Sequence, residues 1–451
     1  MSDASGILIG VDIGSTACKV QAVGADGVHL ALASALTPWE DTPKGRQLDP
    51  EVLFEQLMRA LHKVAGAHTV LGIGVTGFAE SGVIVDRAGK PVAPILPWYD
   101  QHGSDTVSRI EAVMGARGFA GLTGLPLNLK PSIMKFEWFM HEVAPRTFWS
   151  RWMNVPEWFA YRLTGVMATE PSLASRTGIF DVVEKREAED LLACVGAPSG
   201  LFSELRHAGE SWGVVTGTYA RLAGATVTVC GMDHLSAGVG VGATGQANLL
   251  DSCGTGEALI RRLPAMNITR ATLVKAVEQE IAVGRDIFSG QVQLTASLRS
   301  GIGMWRFLKL MGKGEADMEE LDRAALRLST TPSSPVVDNV WLENASLSNI
   351  GYEPDPAAVW RATVEAVQRR ASVLVGRMQD FAGAHDRIVA TGGGLRSLLV
   401  RTLKKDILGP FEQPEIIETA SRGAALLAGM AAGVSPPIAV ETTPVPMAQG
   451  F

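Results

Sequence analysis

GVDIGSTACK, residues 10–19, carries an apolar run into a tight turn and out again. Residues 6–13 read as a buried strand, Gly14-Ser15 as a turn signal, and 19–23 as an alternating strand. Asp26-Gly27 marks a second turn before 28–36, so the chain should open with an antiparallel three-stranded meander. Pro50 opens a predicted helix with Leu53, Leu57, Ala60, Leu61 and Val64 on one face, followed by an apolar strand at 70–76. The pattern returns later. A strand at 247–251 runs into Cys253-Gly254-Thr255-Gly256 and out through 257–263. Then come a long helix over 356–381, a strand over 387–391, three glycines, and helices over 398–407 and 420–432. Between the two patterns, 100–223 reads as mostly helical, with 130–141 and 156–163 the clearest helices. A buried strand over 226–232 then leads into a helix from Asp233. A strand–turn–strand hairpin early in each half predicts a duplicated α/β domain with a cleft between the copies.

Composition narrows the partners. The 451 residues are 46% hydrophobic, enough to bury sizeable cores, and suit two or three domains. Forty Lys+Arg against 47 Asp+Glu give a net charge of −7, with no basic footprint for nucleic acid. Any phosphate must be held by local backbone and helix ends. The cysteines, Cys18, Cys194, Cys230 and Cys253, form no C-x-x-C pair and are too sparse for a disulfide scaffold. The start lacks a signal-peptide pattern and no run reads as a membrane span, so the cytoplasm is the expected location. From Val434 the sequence turns Pro-rich and reads as a surface tail.

Four short stretches carry candidate chemistry. In Asp12-Ile13-Gly14-Ser15-Thr16, with Lys19 following, glycine permits close approach and the turn amides and hydroxyls can nest phosphate. Asp12 can hold Mg²⁺ through water; the same residues equally make a plain hairpin with an Asx cap. Ser252-Cys253-Gly254-Thr255-Gly256 repeats that composition, and two such hairpins can clamp one polyphosphate from both sides. Thr391-Gly392-Gly393-Gly394-Leu395-Arg396-Ser397 lets a flat ligand approach and leaves helix amides for an anion. It is neither a P-loop nor a dinucleotide fingerprint. In Gly231-Met232-Asp233-His234 an acid sits where a strand becomes a helix, as a general base or as a helix cap. Cys18 and Cys253, in or beside the turns, read as small buried residues. The tryptophans of 136–158 read as core rather than as sugar platforms.

Taken in order, these stretches resemble the FGGY carbohydrate kinases over nearly the whole length. "GVDIGSTACK" and "SCGTGEA" resemble the two phosphate motifs, "GMDHLSAGVGVG" the segment of the catalytic base, and "ATGGGLRS" with "ETASRGAALLAG" the adenosine motif. "GIGVTGFAESGVIVD" and "PWYDQH" resemble the sugar side, and "PEWFAYRLTG" another family signature. The resemblance implies two ribonuclease-H-like (actin-like ATPase) domains, 1–242 and 243–451, around a deep interdomain cleft that closes on ATP, Mg²⁺ and a small sugar or polyol. It implies that Asp233 is the general base, and that Asp12 and Asp233 face the metal. Asp12, Gly14, Ser15, Thr16 and Lys19 would line the first phosphate loop, and Gly254 and Thr255 the second. Gly393, Gly394 and Ser397 would lie near adenosine, with Gly301 on the facing helix. Glu80, Trp98, Asp100 and His234 would contact substrate. Ketopentoses such as xylulose or ribulose, or a short polyol, are the implied acceptors, and homodimers are common in the family.

This chain departs from the pattern in places. His102 stands where arginine is frequent, and Gly256 where serine is common. Phe78-Ala79-Glu80 replaces the Gln-Met-His of many sugar kinases. Glu80 matches the glutamate of glycerol kinases, whose preceding arginine is Ala79 here. Three other readings stay on the table at this stage: another ATPase of the same superfold, a non-catalytic sugar sensor, and a nicotinamide-dependent oxidoreductase.

Overall fold

The computed structural model describes residues 6–254, 256–416 and 418–434, together with a terminal strand at Thr442–Pro444. The first sheet is built from the meander the sequence announces. Ile7–Ile13 pairs antiparallel with Ala17–Gly24, which pairs antiparallel with His29–Leu36. Val70–Gly77 joins the other edge of the first strand in parallel, and Thr226–Met232 extends the sheet beyond it. The first strand is buried on both faces, as a central strand covered by helices on either side must be.

The second sheet repeats this order. Asn248–Cys253 pairs antiparallel with Glu257–Pro264, and that strand with Gln291–Leu298. Arg387–Thr391 and then Glu412–Pro414 add in parallel on the other side. Ala282–Arg285 and Thr442–Pro444 extend the two edges to seven strands. The duplication expected from two hairpins is therefore present strand for strand.

Local rules explain the main helices. Pro50–Ala65 begins at Asp49, whose carboxylate accepts the Glu51 amide at 2.7 Å, has Pro50 in its first turn, and ends at Gly66. Leu53, Leu57, Leu61 and Val64 bury one face of it against the first sheet. Pro356–Ala382 starts the same way, from Asp355.

Two expectations need correction. Residues 130–141 are not one helix but a 3₁₀ turn, Ser132–Lys135, followed by Phe136–Glu142. Lys135 is buried and turns its ammonium onto the carbonyls of Leu129 and Lys130, which holds the loop before Pro131 out of helical register. The middle segment is also less helical than it reads. Gly82–Val85 and Arg151–Asn154 pair as strands, and Phe180–Asp181 pairs with Arg186–Glu187. Trp149, Trp152 and Trp158 are buried core, as expected.

The helix Thr419–Ala431 follows the last parallel strand of the second sheet, yet it packs on the first sheet and on Asp233–Gly240. Its small residues make this possible. A Cβ on Gly423 would lie 1.8 Å from the Ser236 carbonyl oxygen, and one on Gly10 would lie 1.7 Å from that of Ser421. Buried hydrogen bonds seal the contact: Ser421 Oγ with Gln21 Oε1 at 2.8 Å, and Ser236 Oγ to the Ala420 carbonyl at 2.9 Å. We keep 1–242 and 243–451 as the proposed units, with this helix as the clasp between them. Gly423→Ala should cost about 2–3 kcal/mol or more, because the obstacle is backbone. Gly376→Ala, in the open interior of Pro356–Ala382, should instead stabilise by up to about 1 kcal/mol. Chemical denaturation of the two variants measures both.

Candidate active site

The first turn is held from behind. Thr37 donates its hydroxyl to the Gly14 carbonyl at 2.6 Å, and Trp39 donates its indole N–H to that of Ser15 at 2.7 Å. The Thr37 amide donates to the Thr16 carbonyl. With its carbonyls tied back, the turn leaves the hydroxyls of Ser15 and Thr16 without a partner among the described residues. Asp12 closes the first strand opposite Lys19, whose ammonium is 2.7 Å from Glu418 at the head of the clasp helix. Asp12 is buried, and one of its oxygens has no hydrogen-bond partner among the described residues. Burial, then the Asp233 carboxylate, push its pKa up to about 8; Lys19 opposes this and Glu418 adds to it. The first hairpin and the Asp233 corner lie side by side: Asp12 pairs in register with Thr76, whose hydroxyl reaches the Gly231 carbonyl two residues before Asp233.

Asp233 begins the helix Asp233–Gly240 and accepts the His234 amide at 2.7 Å. The backbone entering it is fixed by Gly231 and by side chains from other elements. Gly231 has φ +71°, and a Cβ there would collide with Ile287 and Ser172. Thr76 donates its hydroxyl to the Gly231 carbonyl at 2.7 Å. Ser172 Oγ accepts the Met232 amide at 3.2 Å and donates to Glu170 at 2.6 Å. Glu157 in turn accepts the Glu170 amide at 2.8 Å. This buried relay fixes the backbone leading into Asp233 and leaves its carboxylate part-exposed.

Burial pushes Glu170 up to about 7, and its second oxygen has no partner. The folded protein therefore keeps a proton there that the unfolded chain, titrating near 4.5, gives up earlier. That contribution is present below about pH 4.5 and is lost as the pH rises through about 7. Glu170→Gln, which imitates the protonated acid, should shrink the fall in unfolding free energy between pH 5 and 8 by roughly 3 kcal/mol. Parallel pH profiles of the two proteins would refute this reading.

On the acceptor side, Glu80 sits three residues past the strand Val70–Gly77 with φ +62°, an uncommon conformation for a glutamate. Arg176 holds it there, its Nε 2.8 Å from Glu80 Oε1. Arg176 reaches Glu80 from a turn 96 residues further along the chain. Asp100 accepts both the His102 amide at 2.8 Å and His102 Nδ1 at 2.6 Å, while His102 stacks on Trp138. Trp98 and Asp100 line a cavity of about 450 Å³. His234 stands half-exposed beside Asp233.

In the second half, the turn folds with the Gly254 amide on the Gly256 carbonyl at 2.8 Å; Thr255 lies outside the described residues. Gly392 packs over it so closely that a Cβ would lie 2.3 Å from the Cys253 carbonyl oxygen. This brings Gly393 and Gly394 beside the second turn. Ser397 is engaged as the cap of Leu398–Leu408, accepting the Val400 amide. Gly301 lies in the first turn of Ser300–Leu310. Beneath the turn, Asp251, Cys253 and Glu257 gather as a metal site would, but the Lys404 ammonium occupies the centre, 2.8 Å from Glu257 and bonded to Asp251. All four residues are buried, and burial pushes Glu257 up to about 7 against the pull of Lys404. Burial also raises the Cys18 thiol to about 12 and holds Cys253 well above the ordinary range, so both remain packing residues.

The models of the FGGY family of carbohydrate kinases match this chain over residues 7–240 (N-terminal domain) and 335–432 (C-terminal domain). The chain belongs to that family. Its sugar or polyol kinase chemistry, with ATP as phosphoryl donor, follows from the membership. A glycerol kinase of Aromatoleum aromaticum is 26% identical over 453 residues, 95% of this FGGY kinase and 90% of the relative. The solved xylulose kinase of Rhodospirillum rubrum superposes with a TM-score of 0.85 at 21% identity, covering 97% of this chain and 93% of that one. The glycerol kinase of Plasmodium falciparum with ADP gives 0.82 at 17% identity, with 96% and 91% covered. The fold is therefore that of two actin-like ATPase domains. Among the described residues no helix is long and apolar enough to cross a membrane.

Proposed function

We propose that this kinase moves the γ-phosphoryl group of ATP onto a hydroxyl of a small polyhydroxylated acceptor, with Asp233 as general base. The observation that carries the reading is the meeting of Asp12 and Asp233 at the mouth of the first sheet. There one buried carboxylate oxygen has no partner among the described residues, beside a turn whose hydroxyls have none either. A buried acid whose proton affinity is raised by burial and by a neighbouring carboxylate is suited to holding a cation. Asp12, with Asp233 beside it, would hold Mg²⁺, which supplies charge neutralisation on the phosphates.

The chain's own residues do the rest. Ser15 and Thr16 on one hairpin, and Gly254 with Thr255 on the other, hold the phosphates from two sides. Gly393 and Gly394, with Ser397 behind them and Gly301 opposite, frame the nucleoside. Asp233, aimed by the Glu170–Ser172–Met232 relay, takes the proton of the attacking hydroxyl. Glu80, Trp98, Asp100 and His234 orient the acceptor, and closure of the cleft keeps water from the phosphoryl group.

Ketopentoses such as xylulose and ribulose, short polyols and sugar acids form the acceptor panel. ADP release coupled to a redox readout, with Mg²⁺ and ATP, tests the reading. Release that depends on one acceptor class supports it. ADP release indifferent to every acceptor would remove it.

A further inference from the structure

The cavity at Trp98 and Asp100 carries more positive charge than a neutral acceptor needs. Its wall includes Gln101, Asn128, Lys130 and, from the second half of the chain, Arg299. The carboxylates nearby are already engaged. Asp100 is held by the His102 ring and amide, and Glu80 by Arg176. The cations are not. The half-buried ammonium of Lys130 makes no hydrogen bond or ion pair among the described residues and sits over the Trp98 ring, 5.6 Å from its centre. Among the described residues Arg299 has only Glu343 as an ion-pair partner, at 4.0 Å, and that glutamate is almost fully exposed.

Removing an ammonium from water without a counter-charge is unfavourable, so a site that keeps one is matched to an anion. The perturbation of Lys130 agrees. Burial draws its pKa down first, Glu80 pulls the other way, and Arg176 and Arg299 draw it down further. Three cations, Lys130, Arg176 and Arg299, therefore face two carboxylates that are already engaged. Hydroxyl groups do not relieve that crowding, whereas a carboxylate does.

Resting on the kinase reading above, we infer that the acceptor is a polyhydroxy acid of aldonate type, its carboxylate held between Lys130 and Arg299 and its hydroxyl chain directed toward Asp233. A cavity of about 450 Å³ suits a chain of a few carbons. Because Lys130 and Arg299 come from different halves, the carboxylate also bridges the cleft and favours the closed form.

The test compares aldonates with alditols of equal chain length, from four to six carbons, in acceptor-dependent ADP release. The wild-type kcat/KM should favour the best aldonate over its alditol by about 100-fold. Lys130→Met and Arg299→Met should each lower aldonate kcat/KM by about 30-fold or more and collapse that preference. Stabilisation of each variant by ATP on thermal unfolding confirms that it is folded. Faster turnover of alditols, ketopentoses or sugar phosphates would overturn the inference while leaving the kinase reading in place. So would an aldonate preference that survives in both folded variants. If nothing is turned over, tryptophan fluorescence decides. Aldonate binding sensed at Trp98 and lost in Lys130→Met upholds the acid-binding site and removes the phosphotransfer reading, whereas no aldonate binding overturns the inference.

Discussion

Asp233→Ala lowers kcat by about 10³- to 10⁴-fold, the upper range for loss of a positioned general base, while the affinity for ATP changes little. The separation follows from the geometry. Asp233 starts a helix of the first half, whereas the glycine-rich turn and the second hairpin belong to the other half. Asp233→Asn sharpens the test, because it keeps the cap on the His234 amide and removes only the basic oxygen. Both variants should keep wild-type thermal stability to within about 1 kcal/mol, since the carboxylate is part-exposed. A folded Asp233→Asn enzyme with near-normal turnover would dismiss Asp233 as the base.

Lys404→Met produces the largest loss of stability. Lys404 is buried between Asp251 and Glu257, so removing it strands two carboxylates with no cation. The expected cost is about 3–5 kcal/mol, a large share of the roughly 5–15 kcal/mol that holds a domain together. Because the pair lies beneath the second turn, the KM for ATP should rise as well. Replacing the three together, Lys404→Met with Asp251→Asn and Glu257→Gln, should recover much of the stability, since no buried charge is then left uncompensated. A loss under about 1 kcal/mol in the single variant would mean that the hairpin is not supported in this way. Equilibrium denaturation followed by circular dichroism gives the numbers.

The hairpins were legible because their signal is local. A glycine and hydroxyls at the end of an apolar run announce a turn, and a second such run announces the duplication. The strand at Arg387–Thr391 and the helix from Pro50 were equally plain, one from its apolar run and the other from Pro50 and the apolar face that follows it. What supports the site was not legible, because the partners lie far apart in sequence. Arg176 and Glu80 are 96 residues apart, and Lys404 and Asp251 are 153. No periodicity links such pairs. No motif marks Thr37 and Trp39, yet they hold the carbonyls of the first turn. Residues 130–141 misled for a related reason: the apolar spacing is helical, but Lys135 draws the preceding carbonyls onto itself. The clasp helix left a trace in its alanines and glycines, which mark close packing without naming the partner.

The central claim is that two hairpins and two acids form one centre that transfers phosphate rather than merely hydrolysing ATP. Its most direct test follows a radiolabelled γ-phosphate in the presence of Mg²⁺ and the preferred acceptor, comparing the wild type with Asp233→Asn. The account predicts that label appears on the acceptor as a phosphate ester, with little free phosphate, and that the variant makes almost none. Label released as inorganic phosphate at a rate indifferent to the acceptor and to Asp233 would contradict it.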